Sequence, residues 1–133
     1  IAEGSETNLI CSFWDVLPTM EEVVQPHAKK QMDGISLLPL LENKSGQQQH
    51  DYLYFEFHEN KGRQAVRKGP WKLLHLNICG QNPTYELYNL AADPSERHNI
   101  IDQHPDKAAQ LKLIMQQAHR YDPQWPLLPE EKK

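Results

Sequence analysis

Alternating apolar and polar positions in the middle of the chain predict short β-strands. Between residues 52 and 58, Leu53, Phe55 and Phe57 alternate with more polar neighbours, which is the period of a strand with one buried face. Three further runs of strand-like composition follow at 63–67, 71–76 and 85–90. The loops between the runs are short, and short loops join antiparallel neighbours. The pattern therefore predicts a four-stranded antiparallel meander.

The pattern changes to a helical period after the fourth run. Pro105 suits the first position of a helix, and apolar residues then recur at helical spacing. They are Ala108, Leu111, Ile114, Met115 and Ala118. We expect this apolar stripe to pack on the sheet face formed by Leu53, Phe55 and Phe57.

Two further segments have sequences that end regular structure. After the fourth run, Asp93-Pro94-Ser95-Glu96 resembles a capping box, with Asp93 as the N-cap and Glu96 reaching back to it. This predicts a short helical turn directly after the strand. The tail at 122–129 contains three prolines and cannot continue a helix. We expect Trp125 to anchor this tail on a neighbouring surface.

The first 45 residues contain two similar helix starts. Asp15 suits an N-cap and is followed three residues later by a proline, and the helix should end before Pro26. Ser36 and Pro39 repeat the arrangement within a short leucine-rich turn. Residues 42–51 are almost entirely polar, which is typical of a linker or loop.

Composition excludes several classes of function. The chain has 133 residues, 14 basic and 18 acidic side chains and a net charge of -4, so we expect no nucleic-acid partner. Its longest apolar run, Ile35–Leu41, is far shorter than the roughly 20 residues that cross a bilayer, so we expect no membrane span. Cys11 and Cys79 have no metal-type spacing and are expected to be free or buried thiols, although a disulfide between them stays open.

Four blocks of the sequence, in order, resemble motifs of the arylsulfatase family. The fourth is the most detailed, since the stretch 85–100 matches the pattern ELYNLxxDPxExxNI. The other three are Phe13–Thr19, similar to DxxPT, Asp33–Leu41, similar to DGxSLxPLL, and Gln64–Leu73, similar to AVRxGxWKL. Together the blocks cover nearly the whole chain.

The resemblance implies an α+β fold: a four-stranded antiparallel sheet packed by a C-terminal helix, preceded by a helical piece of a missing α/β catalytic domain. Residues 1–45 would be the remnant of that catalytic domain, and residues 46–133 the C-terminal subdomain. The chain would then be a fragment of a longer protein. Its partners would be the missing N-terminal catalytic domain and, in the parent enzyme, a sulfated small molecule or glycan. Family habit also implies a periplasmic or secreted location.

The resemblance further implies that the chain is inactive alone. Sulfatases of this family use a formylglycine made from the first residue of a Cys/Ser-x-Pro-x-Arg motif, together with a calcium ion held by Asp and Asn side chains. Cys11 departs from the motif, because Phe13 stands at the proline position and Asp15 at the arginine position. No cluster of oxygen ligands for a calcium ion is evident in the sequence. We therefore expect no catalytic residue, no metal ligand and no cofactor in this chain, and a sulfuric ester hydrolase as its parent.

The loop after the first strand carries the candidate substrate-binding residues. In the family, loops of this subdomain edge the substrate cleft, so we expect His58, Glu59 and Arg63 to contact the substrate. Arg63 belongs to a basic group with Arg67 and Lys68, and guanidinium groups suit sulfate-like oxygens. The alternatives are that His58 is an exposed strand-end histidine and that Arg67 forms a cross-strand pair with an acidic residue, Glu56 or Glu86.

Other conspicuous side chains are expected to be structural. Three aromatic residues could stack on a sugar ring but are expected to pack the sheet: Trp71, Tyr85 and Tyr88. Six histidines lack metal-type spacing and are expected to be surface or structural residues. They are His27, His50, His75, His98, His104 and His119.

Two other functions stay open at this point. In the first, the chain is a stand-alone binding module for sulfated or other acidic glycans. In the second, it is the same subdomain of a phosphatase or phosphonate hydrolase relative.

For any of these functions, an apolar surface that is exposed in the isolated chain favours self-association. We expect a homodimer that forms through the Tyr54 side of the sheet or through Leu37–Leu41.

Overall fold

The computed structural model describes residues 1, 3–25 and 32–132. By its internal contacts the chain divides into two compact units, Ile1–Asp51 and Tyr52–Lys133. His27 and Pro26 lie outside the described residues. Within the described ranges, no helix has the length and apolar character that crossing a bilayer requires.

The first unit contains two helices. A 3₁₀ turn at Phe13–Asp15 continues into α1, Val16–Val24, and α2 follows at Leu38–Leu41. Asp15 occupies the expected N-cap position of α1, but the expected capping hydrogen bond from its side chain is wrong. The side chain binds other segments instead, as described below.

The second unit contains the sheet and the long helix. Its strands are β1, Leu53–Phe57, β2, Arg63–Lys68, β3, Trp71–Leu76, and β4, Thr84–Asn89. They pair antiparallel in the order β1-β2-β3-β4, which is the predicted meander. Helix α3, Pro105–Ala118, follows a 3₁₀ turn at Ile101–Gln103, and a last 3₁₀ turn lies at Pro129–Glu131.

The core of the second unit lies between the sheet and α3. Val66 pairs with Leu73, and Leu73 with Leu87, so the three side chains share one face, and all are fully buried. The helix contributes the predicted stripe to this cluster through Ala108, Leu111 and Met115.

The prediction of which sheet face α3 covers is wrong. Tyr54 pairs with Val66, so α3 packs on the face of Tyr54 rather than on that of Leu53, Phe55 and Phe57. Phe55 and Phe57 keep 40% and 48% of their surface exposed. The error came from β1 alone: as an edge strand it places its more polar residues on the covered face, where residues after α3 contact them. The Tyr54 side is therefore also unsuited to the expected dimer contact.

The corner after β4 also differs from the expectation. The Asp93 carboxylate accepts the backbone N–H groups of Arg97 at 2.7 Å and His98 at 2.9 Å, not those of a first helical turn. Glu96 has a φ of +53°, and its side chain binds the Lys72 ammonium at 2.7 and 2.9 Å rather than reaching back to Asp93. The segment is thus a side-chain-stabilised loop, and the predicted capping box is wrong.

The tail is anchored by a leucine rather than by the predicted tryptophan. Leu127 is 1% exposed, whereas Trp125 is 64% exposed. The branched side chain of Leu127 buries completely beside the β1–β2 hairpin, while the indole of Trp125 stays largely exposed and meets the His58 ring edge to face.

Candidate functional site

The hairpin between β1 and β2 carries the three predicted substrate-binding residues. His58 directly follows β1, and its Nε2 atom lies 3.0 Å from the backbone oxygen of Trp125. The two rings meet edge to face, with centroids 5.4 Å apart. His58 is therefore occupied, at least in part, by a contact with the C-terminal tail.

Glu59 and Arg63 point to different surroundings from His58. Arg63 pairs with Phe57 across the strands, and its guanidinium carbon lies 6.0 Å from the centre of that ring, a weak cation–π contact. Glu59 is exposed, and its backbone oxygen accepts the N–H of Gly62 at 3.1 Å. Among the described residues no hydrogen bond or ion pair joins any two of the three. Their substrate role stays a prediction.

An open groove of about 390 Å³ lies on the sheet face that α3 leaves uncovered. Exposed aromatic rings of Phe55 and Phe57 and the guanidinium of Arg63 line one side, and Leu74 and Leu76 line the other. An aromatic surface beside a guanidinium has the chemistry to contact a sugar ring and an anionic substituent together.

The expected cross-strand pair of Arg67 does not form within the described part of the chain. Glu56 binds His119, and Glu86 accepts the Tyr88 hydroxyl at 2.9 Å. The Nε atom of Arg67 is buried and has no hydrogen-bond partner. The prediction was wrong because Glu56 lies on the Tyr54 face and Arg67 on the opposite face, while β3 lies between Arg67 in β2 and Glu86 in β4.

His119, expected to be a surface or structural residue, lies between two carboxylates. Its side chain is 11% exposed, with Nδ1 2.5 Å from a Glu56 oxygen and Nε2 2.5 Å from a Glu131 oxygen. Burial alone would lower the pKa of His119, but the hydrogen bonds to Glu131 and Glu56 outweigh burial and raise that pKa. Conversely, the hydrogen bond from His119 lowers the pKa of Glu131. No signal in the sequence links these three positions.

A line of polar contacts continues from Glu56 across the sheet. The Tyr54 hydroxyl donates to Glu56 and accepts from the Gln64 amide at 2.7 Å. Burial, followed by the hydrogen bond to Glu56, raises the pKa of Tyr54. Gln64 also reaches His75 at 3.3 Å, whose pKa is lowered by burial. All of these side chains belong to the second unit, and Glu56 and His75 stay partly exposed.

The first unit has its own buried polar centre, at Asp15. This carboxylate is fully buried and accepts the N–H groups of Ser12 at 2.7 Å and Ile35 at 2.9 Å. His50 Nε2 lies 2.8 Å from the same side chain, so His50 serves a structural role at this centre. Burial would raise the pKa of Asp15, but the hydrogen bonds from Ser12, Ile35 and His50 together lower it.

Neither cysteine forms a disulfide. Cys11 and Cys79 are both free and exposed. Cys79 Sγ lies 3.1 Å from the backbone oxygen of Leu127 and 3.0 Å from Nζ of Lys132. Within the described ranges, no group of three or more His, Cys, Asp or Glu side chains is arranged to hold a metal ion.

A family model matches almost the whole chain. The model described as "N-sulphoglucosamine sulphohydrolase, C-terminal" matches residues 1–121. The chain is also similar to arylsulfatase K of Gallus gallus, with 25% identity over 130 residues, 91% of this chain and 24% of that protein. It thus spans about a quarter of the length of that curated relative.

Other comparisons point to enzymes named for sulfated sugars. The chain is 30% identical to an N-acetylglucosamine-6-O-sulfatase of Bacteroides thetaiotaomicron, over 87% of this chain and 22% of that protein. Among solved structures, a 2-O GAG sulfatase superimposes with a TM-score of 0.66 at 26% identity, covering 78% of this chain and 23% of that one.

Proposed function

Because the chain belongs to the family of N-sulphoglucosamine sulphohydrolase C-terminal domains, we propose that it is the C-terminal portion of a sulfatase. The parent enzyme hydrolyses sulfate esters, and this portion completes its fold and edges its substrate cleft. The family match over residues 1–121 is the observation that carries the proposal.

The proposed substrate is a sulfated carbohydrate, with aryl sulfates as the less favoured class. The names of two similar proteins support this choice, since one is an N-acetylglucosamine-6-O-sulfatase and another a 2-O GAG sulfatase. The groove of Phe55, Phe57 and Arg63 has compatible chemistry. A periplasmic or secreted location belongs to the same proposal.

The chemical step is assigned to the catalytic domain that would precede this portion. In that family a formylglycine and a calcium ion supply the nucleophile and the positive charge at the sulfate. The residues described here do not fit either group: none of them forms a suitable cluster of ligands, and Phe13 and Asp15 interrupt the motif after Cys11. We therefore derive no step through these groups and propose that the chain alone is not catalytic.

A sulfate-release assay tests this proposal. The 133-residue chain is incubated with 4-nitrophenyl sulfate and with a 6-O-sulfated amino sugar, and free inorganic sulfate is measured by ion chromatography. We expect no release above the buffer blank, while a complete sulfatase run in parallel releases sulfate. Release by the chain alone would overturn the assignment of chemistry to another domain.

The coding sequence upstream of Ile1 provides the second test. We expect it to encode a Cys/Ser-x-Pro-x-Arg motif, which identifies a sulfatase. A different nucleophile there would instead favour a phosphatase or phosphonate hydrolase parent. A heparin column separates the remaining alternative, because a stand-alone glycan module would be retained at low salt, whereas we expect this chain, with a net charge of -4, to flow through.

Within this proposal, His58, Glu59 and Arg63 edge the substrate cleft. The test replaces each by glutamine in the longer protein and measures KM and kcat separately. We expect the Arg63→Gln variant to raise KM severalfold with little change in kcat, because a guanidinium contact to a remote anionic group contributes to binding rather than to chemistry. An unchanged KM in all three variants would reject the site; His98→Gln, at an exposed position, is the control.

Self-association through Leu37–Leu41 remains part of the proposal for the isolated chain. Sedimentation of the chain at increasing concentration tests it, and a monomer throughout would reject it.

A further inference from the structure

The C-terminal tail is joined to the sheet through the imidazole of His119, which follows the last residue of α3. One ring nitrogen binds Glu56 of β1 and the other binds Glu131 of the final 3₁₀ turn, each at 2.5 Å. Glu131 in turn accepts the backbone N–H groups of Leu127 at 3.0 Å and Leu128 at 2.9 Å. Sheet, helix end and tail are therefore connected in series, with His119 in the middle.

We propose that His119 is a pH-dependent latch for the C-terminal tail, closed while the imidazole carries two protons and loosened when it loses one. An imidazolium has two N–H donors, and here each donor has its own carboxylate acceptor. A neutral imidazole keeps one donor and exposes a lone pair on the other nitrogen. One carboxylate then faces that lone pair without a hydrogen between them. Because the two contacts are in series, loss of either one breaks the link from the final 3₁₀ turn to the sheet through His119, while Leu127 stays buried beside the hairpin.

The groups that surround His119 favour the charged, closed form. Strand β1 presents Glu56, which also accepts the Tyr54 hydroxyl, and the final 3₁₀ turn presents Glu131. Burial and Glu56 raise the pKa of Tyr54, so this phenol stays neutral. Behind it, Gln64 is uncharged, and burial lowers the pKa of His75. The immediate surroundings of His119 are therefore anionic, which stabilises an imidazolium.

The direction of the pH dependence follows from these contacts. Burial opposes the charge on His119, but the two glutamates outweigh it, so the folded pKa lies above the ordinary value of 6.5. The stabilisation of the closed tail is complete below 6.5 and is lost as pH rises through the folded pKa. On the acid side, the pKa of Glu131 lies below its ordinary 4.5 because His119 donates to it. The latch is therefore closed across the mildly acidic range.

Opening of the latch would loosen the hairpin as well as the tail. The backbone oxygen of Trp125 contacts His58, and that of Leu127 contacts Cys79. The Leu127 side chain lies against Gly62, whose replacement by a larger residue would meet it at 3.2 Å. Leu127 is buried, so we expect local opening rather than unfolding. If the hairpin edges a substrate cleft, as proposed above, the latch would also regulate that edge.

Nuclear magnetic resonance of the full chain tests the latch without any assay of activity. The imidazole signals of His119 and the amide signals of Leu127 and Leu128 are followed against pH. We expect one shared midpoint, and amide exchange at these two positions, corrected for its intrinsic pH dependence, that accelerates by about threefold to tenfold above it. Titration of His119 with no response at either amide would overturn the proposal.

Two variants separate the latch from general stability. In His119→Gln, we expect exchange at Leu127 and Leu128 to be fast and to lose its pH-dependent step, while the amide of the core residue Leu73 stays protected and so reports an intact fold. His98→Gln is the control, because the His98 side chain is 80% exposed, and it should retain the wild-type step. A His119→Gln protein that kept the wild-type midpoint would refute the latch, whatever the sulfatase assays return.

Discussion

The hydroxyl group of Thr19 joins two segments of the first unit. It donates a hydrogen bond to the backbone oxygen of Asp15 at 2.6 Å and accepts the backbone N–H of Leu37 at 2.8 Å. Thr19 ends the first family-like block, and Leu37 lies within the second. The two blocks are thus parts of one polar joint, whose other member is the Asp15 carboxylate bound to Ile35.

Replacing Thr19 by valine should weaken this joint. The substitution keeps the shape of the side chain but removes the acceptor of the partly buried Leu37 N–H and a donor to the Asp15 backbone oxygen, which costs about 1–3 kcal/mol. Thr19→Ser retains the hydroxyl and should cost clearly less. Urea unfolding, followed at the Leu37 amide signal, measures the free energy of unfolding of this unit. Equal destabilisation by valine and serine would show that packing, not the hydroxyl, accounts for the loss.

Gly34 is required by a close approach of two backbone segments. A Cβ atom added there would overlap the backbone oxygen of Trp14 and lie 2.7 Å from its carbonyl carbon. Since both are backbone atoms, the segments must move apart, and Gly34→Ala should destabilise the first unit by about 2 kcal/mol or more.

The matched control for Gly34 is a glycine with open surroundings. Gly69 has a φ of +56° and nothing within 4 Å of an added Cβ, so Gly69→Ala should cost only about 1 kcal/mol, from backbone strain. Thermal unfolding of both variants makes the comparison. A larger loss of stability in Gly69→Ala than in Gly34→Ala would contradict the steric argument.

Local patterns were enough to predict the strands and the long helix. The short loops and the alternation in Leu53–Phe57 identify the meander, and the spacing from Ala108 to Met115 identifies the buried side of α3. These features depend on residues that are close to one another in the sequence. The family-like motif around Asp33-Gly34 could likewise be recognised, although its reason, the contact with Trp14, could not.

The polar centres could not be predicted because they depend on distant partners. His50 meets Asp15 across 35 residues, and His119 meets Glu56 across 63. In the sequence each of these histidines stands among ordinary polar neighbours. The same limit explains the error about the sheet face, since the polarity of Glu56 indicated solvent when it in fact marked a partner at the end of α3.

The corrected position of α3 leads to opposite expectations for two sheet residues. Leu87 is fully buried under the helix, so Leu87→Ala should cost about 2–5 kcal/mol through lost contacts and the cavity left behind. Phe57 lies on the other face and is 48% exposed. Phe57→Ala should cost about 1 kcal/mol or less, near the range of surface substitutions. Chemical denaturation measures the loss of unfolding free energy in each variant. A larger loss for Phe57→Ala than for Leu87→Ala would show that α3 covers the face of Phe57 instead.

Acid should destabilise the first unit through Asp15. The folded pKa of this carboxyl lies below its ordinary 3.8, because the hydrogen bonds from Ser12, Ile35 and His50 outweigh the effect of burial. A lowered folded pKa means that the unfolded chain binds a proton more readily. The stabilisation is therefore complete above 3.8 and is lost as pH falls through the folded pKa.

The variant Asp15→Asn tests this assignment. An amide oxygen replaces only one of the two carboxylate acceptors, so at neutral pH we expect a loss of about 1–3 kcal/mol. The loss of unfolding free energy as pH falls below 3.8 should shrink at the same time. Asp51→Asn, at an exposed position, should keep the full acid dependence. The Ile35 amide signal follows the unfolding of this unit, and an acid dependence unchanged in Asp15→Asn would assign the effect to another carboxyl group.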